Sequence, residues 1–326
     1  MVRNMEKQQI QVGGQAVIEG VMMRSKDAYS VAVRRADGRI VVRKRPFTSF
    51  IARHKILSLP IVRGAFVLIE SLILGVSALT FSGDVAVQDE KSTGKEGSPA
   101  MLPQKTLWEK VWLGITVCFS LALGLFIFFY VPLLITDLLG AESGIKFNLI
   151  DGTLRLTMFL LYLALITLMK DIRRVFEYHG AEHKSIFAFE MNTALTPAAA
   201  KSMSRFHPRC GTSFLLIVML VSILVFMFLG KPHDIGDRLL RLAFIPLIGG
   251  ISYELIRLSG SGAKNSFWRP FILPGLWLQK LTTKEPDEQQ LEVAIVALKS
   301  ALGMDLSEHS AVIVDGLGVA LSEELK

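Results

Sequence analysis

Four stretches of the chain are apolar over lengths that suit lipid, since a bilayer core takes about 20 consecutive residues of helix. Residues 112–139 carry no charge before Asp137. Residues 154–169 are shorter, with only Arg155 near the edge. Residues 214–229 are apolar throughout, and residues 239–258 qualify with Arg241, Glu254 and Arg257 towards the ends. The pattern predicts four transmembrane helices. A fifth stretch, 56–81, is long enough but contains Pro60, Arg63 and Glu70. The two charges are seven residues apart and share a helical face, so they are expected to form a structural ion pair. Charge inside a span faces protein or water rather than lipid.

Between these stretches the pattern changes period. Residues 28–46 form two β-rich runs around Asp37-Gly38, a strong hairpin signal, and residues 11–24 add one more strand. Residues 83–105, rich in Asp, Glu, Lys, Ser, Gly and Pro, read as a mobile linker. Residues 287–302 place Leu291, Ala294, Ile295 and Leu298 at helical spacing, and residues 311–314 suit a final strand. The expected organisation is therefore a basic β-rich region (1–55), a re-entrant or interfacial helix (56–82) and a flexible linker (83–111). A transmembrane bundle (112–282) with a loop at 170–211 and a tail (283–326) follow. The expected fold class is an α-helical integral membrane protein with a small cytoplasmic β element at its N-terminus.

Composition agrees with that class. The chain is 51% hydrophobic and 20% charged, with a mean hydropathy of +0.44, which excludes intrinsic disorder. Two cysteines, Cys118 and Cys210, exclude a disulfide scaffold. No long-period repeat stands out, and the first fifteen residues lack the apolar core of a signal peptide. The net charge is +7, and residues 1–55 hold twelve basic against four acidic side chains. No zinc-finger, RNP-like or phosphate-loop pattern accompanies them, so the reading is a cytoplasmic excess of Lys and Arg rather than a nucleic-acid patch. The loop from 170 to 209 carries seven basic residues and is assigned to the cytoplasm by the same rule. Four spans with both termini inside require 56–82 to return to the side it left; the alternative, with 56–82 crossing, would put the N-terminus outside.

The chemistry concentrates in that loop. His179 and His183 are four apart and project from one face of a helix, with Glu182 beside them. This is an H-x-x-E-H pattern, in which two imidazoles grip a metal and the carboxylate takes a proton from an activated water. His207 and Cys210 follow on the same side. Three of the six histidines and one of the two cysteines thus fall within 32 residues. His179, His183, His207 and Cys210 are the expected ligands of a zinc ion, and the pattern does not fix the metal's identity. Four ligands would close a tetrahedral structural site, whereas three would leave a position for water. Glu182 is the catalytic candidate. Glu254 and Glu19 are further candidate ligands or polar sites, although Glu254 is equally well explained by an ion pair with Arg257.

Four motifs in order resemble one family: Gly-Gly-Gln-Ala-Val-Ile-Glu-Gly-Val-Met-Met-Arg at 13–24, Tyr-His-Gly-Ala-Glu-His-Lys at 178–184, Arg-Phe-His-Pro-Arg-Cys-Gly-Thr at 205–212 and Ile-Ser-Tyr-Glu at 251–254. They resemble the YqhQ-like family of bacterial membrane proteins, a domain of unknown function described as a predicted metal-dependent enzyme. The resemblance implies a multi-pass protein of the cytoplasmic membrane.

Three functions are expected in descending order. The first is a zinc-dependent membrane enzyme, a hydrolase acting at the cytoplasmic face. The second is a non-catalytic scaffold with a structural zinc site, its basic N-terminal region meeting anionic lipid or a membrane, translocation or ribosome partner. The third is a transporter using Arg63, Glu70 and Glu254. A homo-oligomer is left open.

Overall fold

A computed structural model of the chain describes residues 12–92, 106–261, 266–309 and 311–314. It is mostly helical, with a five-stranded sheet and five helices long and apolar enough to cross a membrane.

The sheet begins as a meander: β1 (Gly13–Val17), β2 (Gly20–Arg24), β3 (Ala28–Arg34) and β4 (Ile40–Pro46), each antiparallel to the last. The stretch expected to give one strand before the hairpin gives two, because the chain reverses at Glu19 with a positive φ of 51°. The expected hairpin turns at Gly38. The fifth strand, β5 (Ala311–Val314), lies parallel to β4, pairing Ile40 with Ala311 and Arg43 with Val314. The two flanks read as separate regions are therefore one unit.

Alternation along the strands sends side chains to two faces, and both are buried. Val21, Met23, Ala32, Ile40 and Val42 meet helices α4 (Lys170–Glu190) and α9 (Glu288–Leu302). Val17, Met22, Tyr29, Val31, Val33 and Val41 meet α1 (Val62–Ser92) through Leu74, Ala78, Phe81 and Val85. Helix α9 starts at a capping box in which Asp287 accepts from the Gln290 amide at 2.7 Å and Gln290 accepts from the Asp287 amide at 2.9 Å. Asp287→Ala is expected to cost about 1 kcal/mol, measured as a lowered thermal unfolding midpoint of the detergent-solubilised protein.

Helix α1 serves two neighbours. Its first turns pack on α7 (Ile245–Ser261), where Arg63 and Glu254 form a two-pronged ion pair with Nε–Oε1 at 2.6 Å. Glu70 instead accepts from Ser49 at 2.7 Å and from the Phe50 amide, and pairs with Arg24 at 3.5 Å. The expected Arg63–Glu70 pair is thus absent. Seven residues separate the two side chains by about 10 Å along the axis, too far for direct contact. The same positions give Glu254 its principal partner in Arg63 rather than Arg257.

Helix α1 also runs through residues 83–92, the first part of the expected linker, because Asp89 is held by Arg35 and Val85 by the sheet. Residues 93–105 lie outside the described residues. The next helix, α2 (Leu107–Leu138), starts before the expected 112 because Thr106 and Glu109 form a capping box. Its π-helical turn at Phe126–Tyr130 precedes Pro132, whose missing N–H breaks the regular ladder. Helix α3 (Gly144–Ile166) begins ten residues before the expected 154, because Asn148, Asp151 and Arg155 are buried on its inner face. Helices α5 (Gly211–Leu229), α6 (Ile235–Ala243) and α7 complete the bundle, and α8 (Arg269–Thr282) packs on α5, Gly275 against Ser213. The expected loop at 170–211 is largely helix, formed by α4 and the short Pro197–Lys201 turn.

Candidate metal centre

Helix α4 is amphipathic, and its buried face carries Tyr178, Glu182, His183 and Ile186 against the sheet and α9. His179 lies one turn before His183, with ring centroids 4.5 Å apart. Cys210 caps the N-terminus of α5, its sulfur accepting from the Thr212 amide at 3.4 Å. Amide donors at a helix start complement an anionic sulfur. The structure brings His179, His183 and Cys210 together, one ligand atom from each lying within 4.8 Å of the others, and His179 Nε2 is 3.3 Å from Cys210 Sγ. Tetrahedral zinc with bonds of about 2.0–2.3 Å needs ligand atoms about 3.3–3.8 Å apart. The His179–Cys210 pair already meets that at 3.3 Å, and the widest separation in the trio, up to 4.8 Å, has to close by about 1 Å.

Protonation follows from the outer partners. His179 Nδ1 lies 2.8 Å from the Thr282 carbonyl, and His183 Nδ1 lies 2.5 Å from the Arg205 carbonyl. A carbonyl only accepts, so each Nδ1 carries the hydrogen and each Nε2 offers a lone pair. Burial lowers the His183 pKa, despite the opposing contact with Cys210, and favours the neutral ring that a metal requires.

His207 takes the other tautomer. Its Nδ1 accepts from the Arg209 amide at 3.3 Å, which leaves the hydrogen on Nε2, 3.4 Å from Glu190. Its ring stands 5.6 Å from that of His183, beside the trio and turned away from it. Burial opposes ionisation of Glu190, but the His207 contact and the Arg209 charge outweigh it and hold the carboxyl below its usual range. Of the four residues expected as ligands, the structure gathers three, His179, His183 and Cys210, and leaves His207 beside them.

Glu182 sits between the two imidazoles along the helix. One oxygen accepts from the Gly14 amide, while Oε2 is buried with no partner among the described residues. Gly14 is needed there, because a Cβ would fall 2.9 Å from the Glu182 Cγ. Burial pushes the Glu182 pKa up to about 7, against the opposing effects of His179 and the Gly14 N–H. A carboxyl poised near neutrality can take and return a proton.

The remaining candidates have other tasks. Glu19 is tied to Arg174 (Nη2–Oε2 2.7 Å) and receives the Tyr178 hydroxyl at 3.2 Å, which fixes the β1–β2 turn to α4. Burial, and after it the Glu19 charge, raise the Tyr178 pKa. Glu254 is held by Arg63 and is not among the ligand-bearing groups of the trio. Gln279 was not anticipated. Buried on α8, it receives the His207 amide and donates to the His207 carbonyl, both at 2.8 Å, so it holds the 205–210 turn in place. Its signal was a lone amide within an otherwise apolar run.

Comparison with known proteins places these elements in a family. A family model described as "Protein of unknown function (DUF1385)" matches residues 59–304. The "Uncharacterized protein YqhQ" of Bacillus subtilis (strain 168) is 33% identical over 305 residues, covering 91% of this chain and 94% of that protein. No solved structure matches. The match runs through α4, the Cys210 turn and the bundle alike, and the chain belongs to the DUF1385 family.

Proposed function

We propose that the protein is a multi-pass membrane metalloenzyme, a hydrolase whose zinc is held by His179, His183 and Cys210 at the cytoplasmic face. The observation that carries this reading is the pair of imidazoles fixed by backbone carbonyls, each leaving Nε2 for a metal beside Cys210, with the unpartnered Oε2 of Glu182 next to them. Three ligands leave one position open, the hallmark of a working rather than a purely structural zinc. A bound zinc supplies Lewis acidity to the bond under attack. Glu182 takes the proton of the attacking water and passes it to the leaving group as the ester or amide bond breaks. The substrate class is a membrane-adjacent peptide or lipid.

The topology proposed with it has four crossings, α2, α3, α5 and α6–α7, with the sheet in the cytoplasm. Helix α1 lies at the interface. From Leu74 onward it is claimed by the sheet, and residues 62–73 span about 18 Å, short of the roughly 30 Å hydrocarbon core. Its outward Ile69, Leu72 and Ile73 are half-exposed and suit the lipid boundary.

Glu182→Gln is expected to keep about one metal ion per chain by elemental analysis while lowering hydrolysis of an ester and peptide panel by about 10²–10⁴-fold. Protein purified without a stoichiometric transition metal would falsify the reading. A second reading, a structural zinc that pins α4 to the bundle, draws on the link that Cys210 and His179 make between α5 and α4. Cobalt-substituted protein separates the two, because exchange of an open position by azide shifts its visible spectrum and a closed site does not respond.

A further inference from the structure

The far end of the bundle holds a second constellation, unconnected to the metal trio. Phe226 follows Cys210 by sixteen residues, about 24 Å along α5, and at its level α3 and α6 bury four polar side chains. Asn148, Asp151 and Arg241 are each 1% exposed, and Arg155 is 5% exposed. Arg155 donates to Asp151 Oδ2 at 2.8 Å, and Arg241 donates to Asn148 at 2.8 Å and to the Gly230 carbonyl. Both guanidinium carbons stand over the same ring, 5.4 and 5.0 Å from the Phe226 centroid.

Two features of this cluster do not balance within the protein. Its charges sum to one excess positive, two guanidiniums against one carboxylate, in surroundings built from Phe129, Phe147 and Phe226. Of the two carboxylates near Arg241 outside the cluster, Asp137 is taken by Arg238 at 2.8 Å, and Asp237 lies half-buried one turn earlier on α6, accepting from the His233 amide at 2.8 Å rather than reaching the buried guanidiniums. Hydrogen bonding is also incomplete. Arg155 Nε, Arg241 Nη1 and Asp151 Oδ1 are buried with no partner among the described residues. Buried ionic groups left in that state are strongly disfavoured, and their presence in a span marks a ligand or ion site by default.

Charge and hydrogen-bond pattern agree on what would complete the cluster. It lacks one negative charge, two acceptors and one donor. We infer that Asn148, Asp151, Arg155 and Arg241 form a binding site for a small monovalent oxyanion bearing at least one O–H, the chemistry shared by bicarbonate, dihydrogen phosphate and a phosphate-monoester headgroup. Two of its oxygens accept from Arg155 Nε and Arg241 Nη1, and its hydroxyl donates to Asp151 Oδ1. Chloride supplies the charge but not the donor. The site is independent of the metal reading.

The test is binding of bicarbonate, inorganic phosphate and chloride to the full chain in nanodiscs at constant ionic strength, followed by thermal stabilisation and by ³¹P or ¹³C NMR. The expected result is saturable binding of bicarbonate or phosphate at least tenfold tighter than of chloride. Arg155→Lys, which keeps the charge and removes Nε, weakens it at least tenfold, while Arg63→Lys leaves it unchanged. Displacement of phosphate by phosphatidic acid in the nanodisc, but not by phosphatidylcholine, assigns a lipid headgroup; displacement by neither assigns the free anion. Absence of saturable oxyanion binding overturns the proposal, as does chloride binding of equal strength or an unchanged affinity in folded Arg155→Lys.

Discussion

Gly180→Ala is expected to disrupt the proposed metal centre without altering any of its three proposed ligands. The residue lies inside the histidine motif on the face of α4 that meets the 284–286 segment. A Cβ there would overlap the Lys284 carbonyl oxygen and come within 3.3 Å of Pro286 Cδ. Both obstacles belong to a segment bound to the helix, since the Lys284 amide donates to the Phe176 carbonyl at 2.8 Å. No flexible side-chain end can yield, so helix and segment must separate. The segment follows directly on Thr282, whose carbonyl orients His179, and on Thr283, whose carbonyl receives Arg205 at 2.7 Å. Overpacking costs typically 1–3 kcal/mol, and a backbone obstacle places this substitution near 3 kcal/mol. Thermal unfolding in detergent checks the loss, and elemental analysis checks the metal. Gly211→Ala is the control, because a Cβ there meets nothing within 4 Å. It is expected to leave both readouts unchanged.

Removing a ligand separates members of the trio from their neighbours. Cys210→Ala and His183→Ala are each expected to weaken zinc binding more than about 100-fold, beyond the 10–100-fold usual for groups in the surrounding shell. His207→Ala should cost no more than about tenfold, because its Nε2 hydrogen faces Glu190 and Gln279 holds its backbone independently of its ring. Competition with a chromogenic chelator measures all three. If His207→Ala lost as much affinity as Cys210→Ala, the assignment of tautomers and the three-ligand site would both be wrong.

The periodic signals in the chain were the readable ones. Asp37-Gly38 announced its hairpin and Leu291–Leu298 their helix, because in both the side-chain pattern alone decides the backbone. The spacing of His179, Glu182 and His183 placed three groups on one face for the same reason. What the chain did not show was set by partners distant in sequence. Arg63 lies 191 residues from Glu254, and the expectation of a local pair with Glu70 failed on axial distance. Asn148 looked like a loop residue because its partner, Arg241, comes 93 residues later. His207 was indistinguishable from a ligand, since its tautomer depends on the Arg209 amide and on Glu190. The Thr282 and Arg205 carbonyls that orient the imidazoles leave no side-chain signature at all. The early start of α2 was legible and overlooked, since Thr-Leu-Trp-Glu at 106–109 is a capping-box sequence.

The parallel pairing of β5 with β4, and the seating of α9 on the face it adjoins, carry a consequence for biogenesis. The meander emerges first from the ribosome, yet α9, which shares with α4 the covering of one of its two apolar faces, is encoded about 240 residues later. At a synthesis rate of about 5–20 residues per second, that face stays incompletely covered for on the order of ten to fifty seconds, while the hydrophobic helices between are being delivered. The Thr282 carbonyl that sets His179 arrives in the same late window. Maturation of the sheet unit and of the His179–His183–Cys210 cluster is thereby coupled to completion of the bundle, so a chain stalled midway carries a half-covered sheet for quality-control proteases to recognise and no assembled cluster.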